Sequence, residues 1–221
     1  MIYGLVPIGG KGTRLGLTFS KEMLPQKGTS HFNPISNHLV SKMRAAGAEK
    51  IVFIHGFEFK RDVVDYFNSS SIHQHYLQRA EGFSNVLKEF SDNISLSIND
   101  RIFFGMPDTI FRGNPFTRML AHEGVSCGLF TTNDESKVDR LLINENKFAV
   151  KCSKSPGLQD RFWGLLKFSG LDIINMDKQG YFSTYDEIGD IVNQFKFSCI
   201  NAGDYLDLGT WDNYNYYLKN F

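Results

Sequence analysis

Apolar and polar positions follow two periods along this chain. Short β-rich runs fall at Tyr3–Ile8, Lys50–His55, His75–Gln78, Arg101–Gly105, Ser126–Thr131 and Lys196–Ile200, each of a length that suits a strand. Between them lie stretches with the spacing of an amphipathic helix. The clearest runs from Pro34 to Gly47, where Ile35, Leu39, Val40 and Met43 share a face, Pro34 suits the first turn, and Gly47 stands where a helix-terminating glycine belongs. Glu58–Phe67, Phe83–Phe90 and Pro115–His122 read as further helices. Strand and helix alternating in this way imply βαβ units. The expected fold class is α/β, a single-domain Rossmann-like three-layer sandwich with a mainly parallel central sheet across residues 1–221. No linker-like stretch and no internal repeat interrupts it. In such a sheet ligands bind beyond the carboxyl ends of the strands, so the segments that follow strands are where chemistry is expected.

The first of these segments is the most informative. After the run ending at Ile8 come Gly9-Gly10-Lys11-Gly12-Thr13-Arg14-Leu15, and then Ser20-Lys21-Glu22-Met23-Leu24-Pro25. Clustered glycines let backbone N–H groups converge on an anion without Cβ obstruction, and Lys11, Arg14 and Lys21 supply positive charge. Two familiar glycine loops do not fit. A P-loop needs Lys and then Ser or Thr directly after its last glycine, whereas Gly12 is followed by Thr13-Arg14. A dinucleotide fingerprint counted from Gly10 would need a third glycine where Leu15 stands. A tight turn after a first strand accounts for the glycines alone, but not for the basic residues around them.

These two segments, at this spacing, resemble the signature of the sugar-1-phosphate nucleotidyltransferases, glucose-1-phosphate thymidylyltransferases among them. The resemblance implies that Gly9, Gly10, Gly12 and Thr13 wrap a nucleoside triphosphate. It also implies that Arg14 stabilises the phosphates at the reacting centre and that Lys21 binds phosphate oxygens.

Further segments extend the likeness. The strand ending at Gly105 delivers Met106-Pro107-Asp108, a carboxylate at the sheet edge. Mg²⁺ prefers one or two carboxylates plus phosphate oxygens to an all-protein cage, although a turn aspartate is the plainer reading of Asp108 alone. The family has Gly-Asp-Asn/Ser here, its aspartate on Mg²⁺, and this chain carries Pro107 in place of that glycine. Tyr205-Leu206-Asp207-Leu208-Gly209-Thr210-Trp211-Asp212 resembles the family segment whose aspartate, here Asp207, completes the metal site. Replacing either aspartate by Asn is then expected to abolish Mg²⁺-dependent activity and to raise melting temperature by relieving carboxylate repulsion. Gln78 carries an amide that can pair with the donor and acceptor edge of uracil or thymine. In the family this glutamine reads the base, with Gly82 letting the backbone approach it.

The likeness is weaker elsewhere, and thin between 112 and 150. Lys154 falls where the family's Glu-Lys-Pro lysine contacts the sugar phosphate, with Ser153 replacing the glutamate. Phe162–Phe168 resembles the sugar-binding Gly-x-Tyr-x-Phe strand and places Gly164 there, while the stretch Asp186–Asn193 places Glu187 at a sugar-contacting position. For Trp163 and Phe168 a core position is at least as good a reading.

Composition narrows the partners. With Lys and Arg balancing Asp and Glu at 24 each, no field draws the chain to nucleic acid or to a membrane surface, so an anionic ligand must be held locally. Twenty Phe and nine Tyr are ample for a buried core. The amino terminus lacks the basic start of a signal peptide, and no run approaches the ~18 apolar residues of a spanning helix, so a cytoplasmic protein is expected. Cys127, Cys152 and Cys199 have no paired spacing and read as buried thiols. His73 and His75 share a strand face without a third ligand at a recognisable spacing, which favours a solvated or edge position.

The resemblance implies partners: a nucleoside triphosphate (dTTP or UTP from Gln78), a sugar 1-phosphate, and Mg²⁺ as cofactor, with no nucleic acid or membrane. A homo-oligomer is compatible with it. Two alternatives stand beside it. One is a catalytically silent nucleotide-binding regulatory subunit, suggested by Pro107 and Ser153. The other is the same chemistry on a non-sugar phosphomonoester.

Overall fold

A computed structural model describes residues 1–68, 70–131, 140–146, 148–153, 161–184 and 197–221. Among them ten strands form one curled sheet. β1 (Ile2–Ile8) pairs in parallel with β2 (Lys50–His55) on one side and β4 (Arg101–Gly105) on the other, and β2 pairs in parallel with β3 (His73–Leu77). β9 (Arg161–Ser169) runs antiparallel between β4 and β6 (Ser126–Thr131), and β6 pairs in parallel with β10 (Phe197–Asp207). β8 (Phe148–Ser153) pairs antiparallel with β10 and with β7 (Arg140–Ile143), which pairs back onto β9, and β5 (Thr109–Phe111) pairs antiparallel with the end of β10. The sheet is mixed, with most strands sharing one direction. The expectation of parallel βαβ units is met from β1 to β4 and is corrected at β9, β8 and β5, which run against their neighbours.

Alternation along β1 explains why both faces are covered. Tyr3 and Leu5 lie on one face, in a core with Val86, Leu87 and Phe90 of α3 (Phe83–Asn93) and Ile173 and Met176 of α5 (Gly170–Lys178). Val6 and Ile8 lie on the other, with Leu39, Val40 and Met43 of α1 (Ser36–Ala45), Val63 and Phe67 of α2 (Arg61–Phe67), and Phe116 and Met119 of α4 (Pro115–Met119). Each fully buried side chain of this kind stabilises by about 1.5–3 kcal/mol. Helix α1 packs so closely that a Cβ on Gly4 would sit 2.7 Å from Met43 Sδ, and one on Gly105 would sit 2.7 Å from Leu39 Cδ1. The remaining helices are α6 (Tyr181–Thr184) and α7 (Trp211–Asn220).

Helix α7 ties the end of the chain to its beginning. The Trp211 indole N–H donates to the Leu15 carbonyl at 2.8 Å, the Tyr214 hydroxyl donates to Pro25 O at 2.9 Å, and the Lys27 N–H donates to the Tyr217 hydroxyl at 3.0 Å. A third core of Leu15, Leu24, Ile35, Ile110, Leu208, Tyr214 and Tyr217 lies between them. None of the described helices is long and apolar enough to cross a membrane. Cys127 and Cys199 are buried, as expected; the Cys152 side chain lies outside the described ones.

Several buried positions are polar by type, Lys167 among them. Lys167 in β9 is 0% exposed, and its ammonium donates to the His122 carbonyl. Burial, with Arg101 nearby, lowers its pKa from 10.5 to about 8. The unfolded chain then holds more protons than the folded one between these values, so stability rises with pH across that window. Lys167→Met is expected to remove this slope. Thermal melts of both proteins at pH 8 and pH 10 check it, and equal slopes would rule it out.

Candidate active site

Chain leaving β1 turns to β2 on one side while β4 lies on the other, which opens a crevice beyond the carboxyl ends of β1 and β4. The Gly9–Gly12 loop leaves β1 at this point. Met106-Pro107-Asp108 leaves β4, and the Thr109 hydroxyl closes its turn by donating to the Met106 carbonyl at 2.6 Å. Pro107 is buried in the turn, and with Pro107 present the Asp108 carboxylate, itself buried, pairs with the Lys21 ammonium.

The pairing of β5 with β10 sets Asp207 opposite Thr109, and the Leu208 N–H donates to the Asp108 carbonyl at 2.8 Å. Two carboxylates far apart in sequence thereby meet. Burial, and then the Asp108 charge, raise the pKa of Asp207, against the pull of the Gly209 N–H, Lys21 and Arg14. Lys21 reaches Asp108 across 87 positions, its ammonium 2.5 Å from Oδ2. Burial works against that charge, but Asp108, Glu22 and Asp207 hold it above its ordinary value. Arg14 comes from the short 3-10 turn Thr13–Leu15. A Cβ on Gly209 would lie 2.8 Å from Asp207 Oδ1 and 3.2 Å from Arg14 Nη2, so a side chain there would crowd both the carboxylate and the guanidinium. The Gly209 N–H donates to Asp207 Oδ1 at 2.6 Å.

The glycine loop lies against the same groups. A Cβ on Gly10 would meet Lys21 Nζ at 3.2 Å, one on Gly12 would meet Lys21 Cβ at 3.5 Å, and one on Gly9 would meet Gln78 Oε1 at 3.6 Å. Gln78 follows β3, is 8% exposed, and donates from Nε2 to the Gly82 carbonyl at 2.9 Å. Gly82 has φ 108° immediately before α3, a conformation that a side chain would strain. The amide keeps one N–H and its oxygen for a ligand.

Residues that the sequence reading did not single out hold these segments in place. Lys60 donates to Gly10 O at 2.7 Å and to both carboxylate oxygens of Glu22 at 2.9 Å. Asp62 accepts from the Ser20 N–H at 2.8 Å and from the Ser20 hydroxyl at 2.6 Å. The Lys60 N–H donates to His55 Nδ1 at 3.2 Å, so neutral His55 carries its proton on Nε2 and donates it to His75 Nδ1 at 2.9 Å. His75 therefore sits in a relay on β3, which pairs only with β2 among the described residues and forms the sheet's edge, as expected. Only the charges of Lys60 and Glu22 were legible beforehand, since their partnership depends on the turn into α2.

Of the sequence-predicted site residues, Gly9, Gly10, Gly12, Thr13, Arg14, Lys21, Gln78, Gly82, Asp108 and Asp207 come together around the crevice. Gly164 lies inside β9, where a Cβ would stand 2.7 Å from the Phe130 ring and 3.1 Å from Tyr205, so packing alone requires glycine there. Phe168 is 0% exposed and belongs to the core. Lys154, Glu187 and the stretch Asp186–Asn193 lie outside the described residues, as do the side chains of Ser153 and Trp163.

The donor set fits Mg²⁺ in one respect that the structure supplies. Asp108 and Asp207 give hard oxygen ligands, and the pKa of Asp207, raised by burial and then by the Asp108 charge, marks a carboxylate whose ionised form a cation would favour. Among the described residues no cluster of three or more His, Cys, Asp or Glu could hold a metal ion unaided, so phosphate oxygens would have to complete the coordination.

The strand order and the helices on both faces define a mixed α/β fold. No protein-family model and no curated protein sequence matches the chain. Its fold is similar to that of a Bacillus anthracis protein provisionally designated a glucose-1-phosphate thymidylyltransferase, solved in complex with sucrose. That likeness has a TM-score of 0.82 at 20% identity and covers 99% of this chain and 94% of the other. At that identity it is a likeness of fold.

The two aspartates are not equivalent, which corrects the expectation that both Asn exchanges stabilise. Asp207→Asn removes a carboxylate that burial and Asp108 disfavour, and should raise the melting temperature at pH 7. The gain should fade toward pH 4, because a carboxyl whose folded pKa is raised costs stability only where it is ionised. Asp108→Asn leaves Lys21 buried without its partner and should lower it. Thermal melts without metal at both pH values check the pair, and equal shifts would contradict it.

Proposed function

We propose that residues 1–221 form one nucleotidyltransferase domain that transfers a nucleotidyl group from a nucleoside triphosphate to a sugar 1-phosphate, giving a nucleotide-sugar and pyrophosphate. The observation that carries this reading is the convergence of Arg14, Lys21, Asp108 and Asp207 beside a glycine loop that adjoins Gln78. The sugar phosphate oxygen attacks the α-phosphorus in line, and pyrophosphate leaves. No general base is needed, because a phosphate monoester is largely dianionic at pH 7. The residues' work is positioning and charge neutralisation. Arg14 faces the transferring phosphate, the Lys21 ammonium exchanges Asp108 for phosphate oxygens, and loop N–H groups of Gly9–Thr13 hold the remaining anionic oxygens. Mg²⁺ held by Asp108 and Asp207 would supply further charge neutralisation on the phosphates. Lys154, Gly164 and Glu187 are assigned to the sugar phosphate by resemblance.

The acceptor and base are read together by a pyrophosphate-release screen of nucleoside triphosphates against sugar phosphates with Mg²⁺. Within it, Arg14→Ala should lower turnover about 10²-fold or more with melting temperature held, because a charge aimed at a developing anion is worth several kcal/mol in a water-poor site. A loss below about threefold would remove Arg14 from the reacting centre.

Gln78 supports dTTP or UTP as the preferred triphosphate. Gln78→Glu should weaken both by about 1–3 kcal/mol, because a carboxylate cannot donate to the O4 carbonyl. If CTP or GTP gave the highest kcat/KM, Gln78 would not be the base reader, although transfer itself would stand.

A further inference from the structure

We infer that Lys60 is a positioning residue that presets the glycine loop for anion binding, an inference that rests on the nucleotide-binding reading above. The ammonium of Lys60 is held by both oxygens of Glu22, whose side chain is 1% exposed, and also donates to the Gly10 carbonyl. No peptide among the described residues is cis. In a trans peptide the C=O of one residue and the N–H of the next point in opposite directions. Drawing the Gly10 carbonyl toward Lys60 therefore sends the Lys11 N–H to the opposite side of the loop, away from the Lys60–Glu22 pair. Without that anchor the Gly10–Lys11 peptide is free to turn over, since glycine on one side tolerates the change, and would present a carbonyl where an anion needs a donor.

Lys60 is also fixed at its other end. Its backbone N–H is bound to His55 Nδ1 at the end of β2, so the ammonium hangs from a rigid strand end rather than from a free loop. Glu22 lies next to Lys21, and Asp62 grips Ser20 on its other side, so one turn at the start of α2 sets both phosphate-facing segments. Lys60 itself stays engaged with Glu22 and Gly10 and acts through the loop.

Three variants test this: Lys60→Met, the double variant Lys60→Met with Glu22→Gln, and Lys60→Arg. The double variant removes both buried charges, so it should recover the melting temperature that Lys60→Met alone loses by orphaning Glu22. Binding of dTTP, UTP, CTP, ATP and GTP is measured by titration calorimetry without acceptor, followed by steady-state kinetics. The double variant should bind the triphosphate preferred by wild type about tenfold or more weakly, matching the loss of one hydrogen bond to a charged group. KM for that triphosphate should rise in step, kcat should stay within about threefold, and Lys60→Arg should restore most of the affinity. A double variant that binds as tightly as wild type would overturn the positioning role while leaving the functional reading intact. A wild type that binds none of the five would overturn both.

Discussion

Bringing Asp108 and Asp207 to one buried spot is electrostatically unfavourable, and the Lys21 ammonium 2.5 Å from Asp108 offsets that cost. The antiparallel pairing of β5 with β10 enforces the meeting, and the short turns after β1 and β4 deliver the remaining groups to the same point. Loss of any one of these connections would leave a charge buried without its counterpart, a situation that typically costs several kcal/mol.

Two scaffolds keep the basic side chains where the carboxylates need them. Helix α7 supports the turn that carries Arg14 through the Trp211 contact to Leu15, and Tyr214 steadies the segment after Lys21 at Pro25. The start of α2 holds Ser20, Glu22 and Gly10 through Asp62 and Lys60. Both are made from residues distant in sequence from the motif they serve. The short motif alone would have too little buried surface to hold its own shape.

What was legible in the sequence follows what local physics controls. Strands β2, β4 and β6 agree with their predicted limits at both ends because each is a compact apolar run bounded by turn residues. Helix α1 is shorter than the expected span, since Pro34 and Ile35 form a turn before Ser36. β5 was not predicted because its three residues gain strand geometry only by pairing with β10, and β7 and β8 likewise depend on non-local partners. Helix α7 escaped because its core-facing residues are Tyr214 and Tyr217 among polar neighbours, a weak periodic signal. At the site, the chemical types were readable in Arg14, Lys21, Asp108 and Gln78. The partnership of Lys60 with Glu22 was not, because it joins positions 38 residues apart through a turn that no local pattern announces.

The charges of Arg14, Lys21, Asp108 and Asp207 cancel in pairs, as do those of Lys60 and Glu22, just as the whole chain balances to zero. A highly charged ligand approaching from beyond a Debye length of about 8–10 Å therefore meets little net field from these groups. They give it no long-range electrostatic steering, and dilute and concentrated salt should leave their contribution to the encounter rate nearly unchanged. Discrimination begins only at contact, when the ammonium of Lys21 gives up Asp108. An anion that cannot make that exchange worthwhile departs as readily as it came.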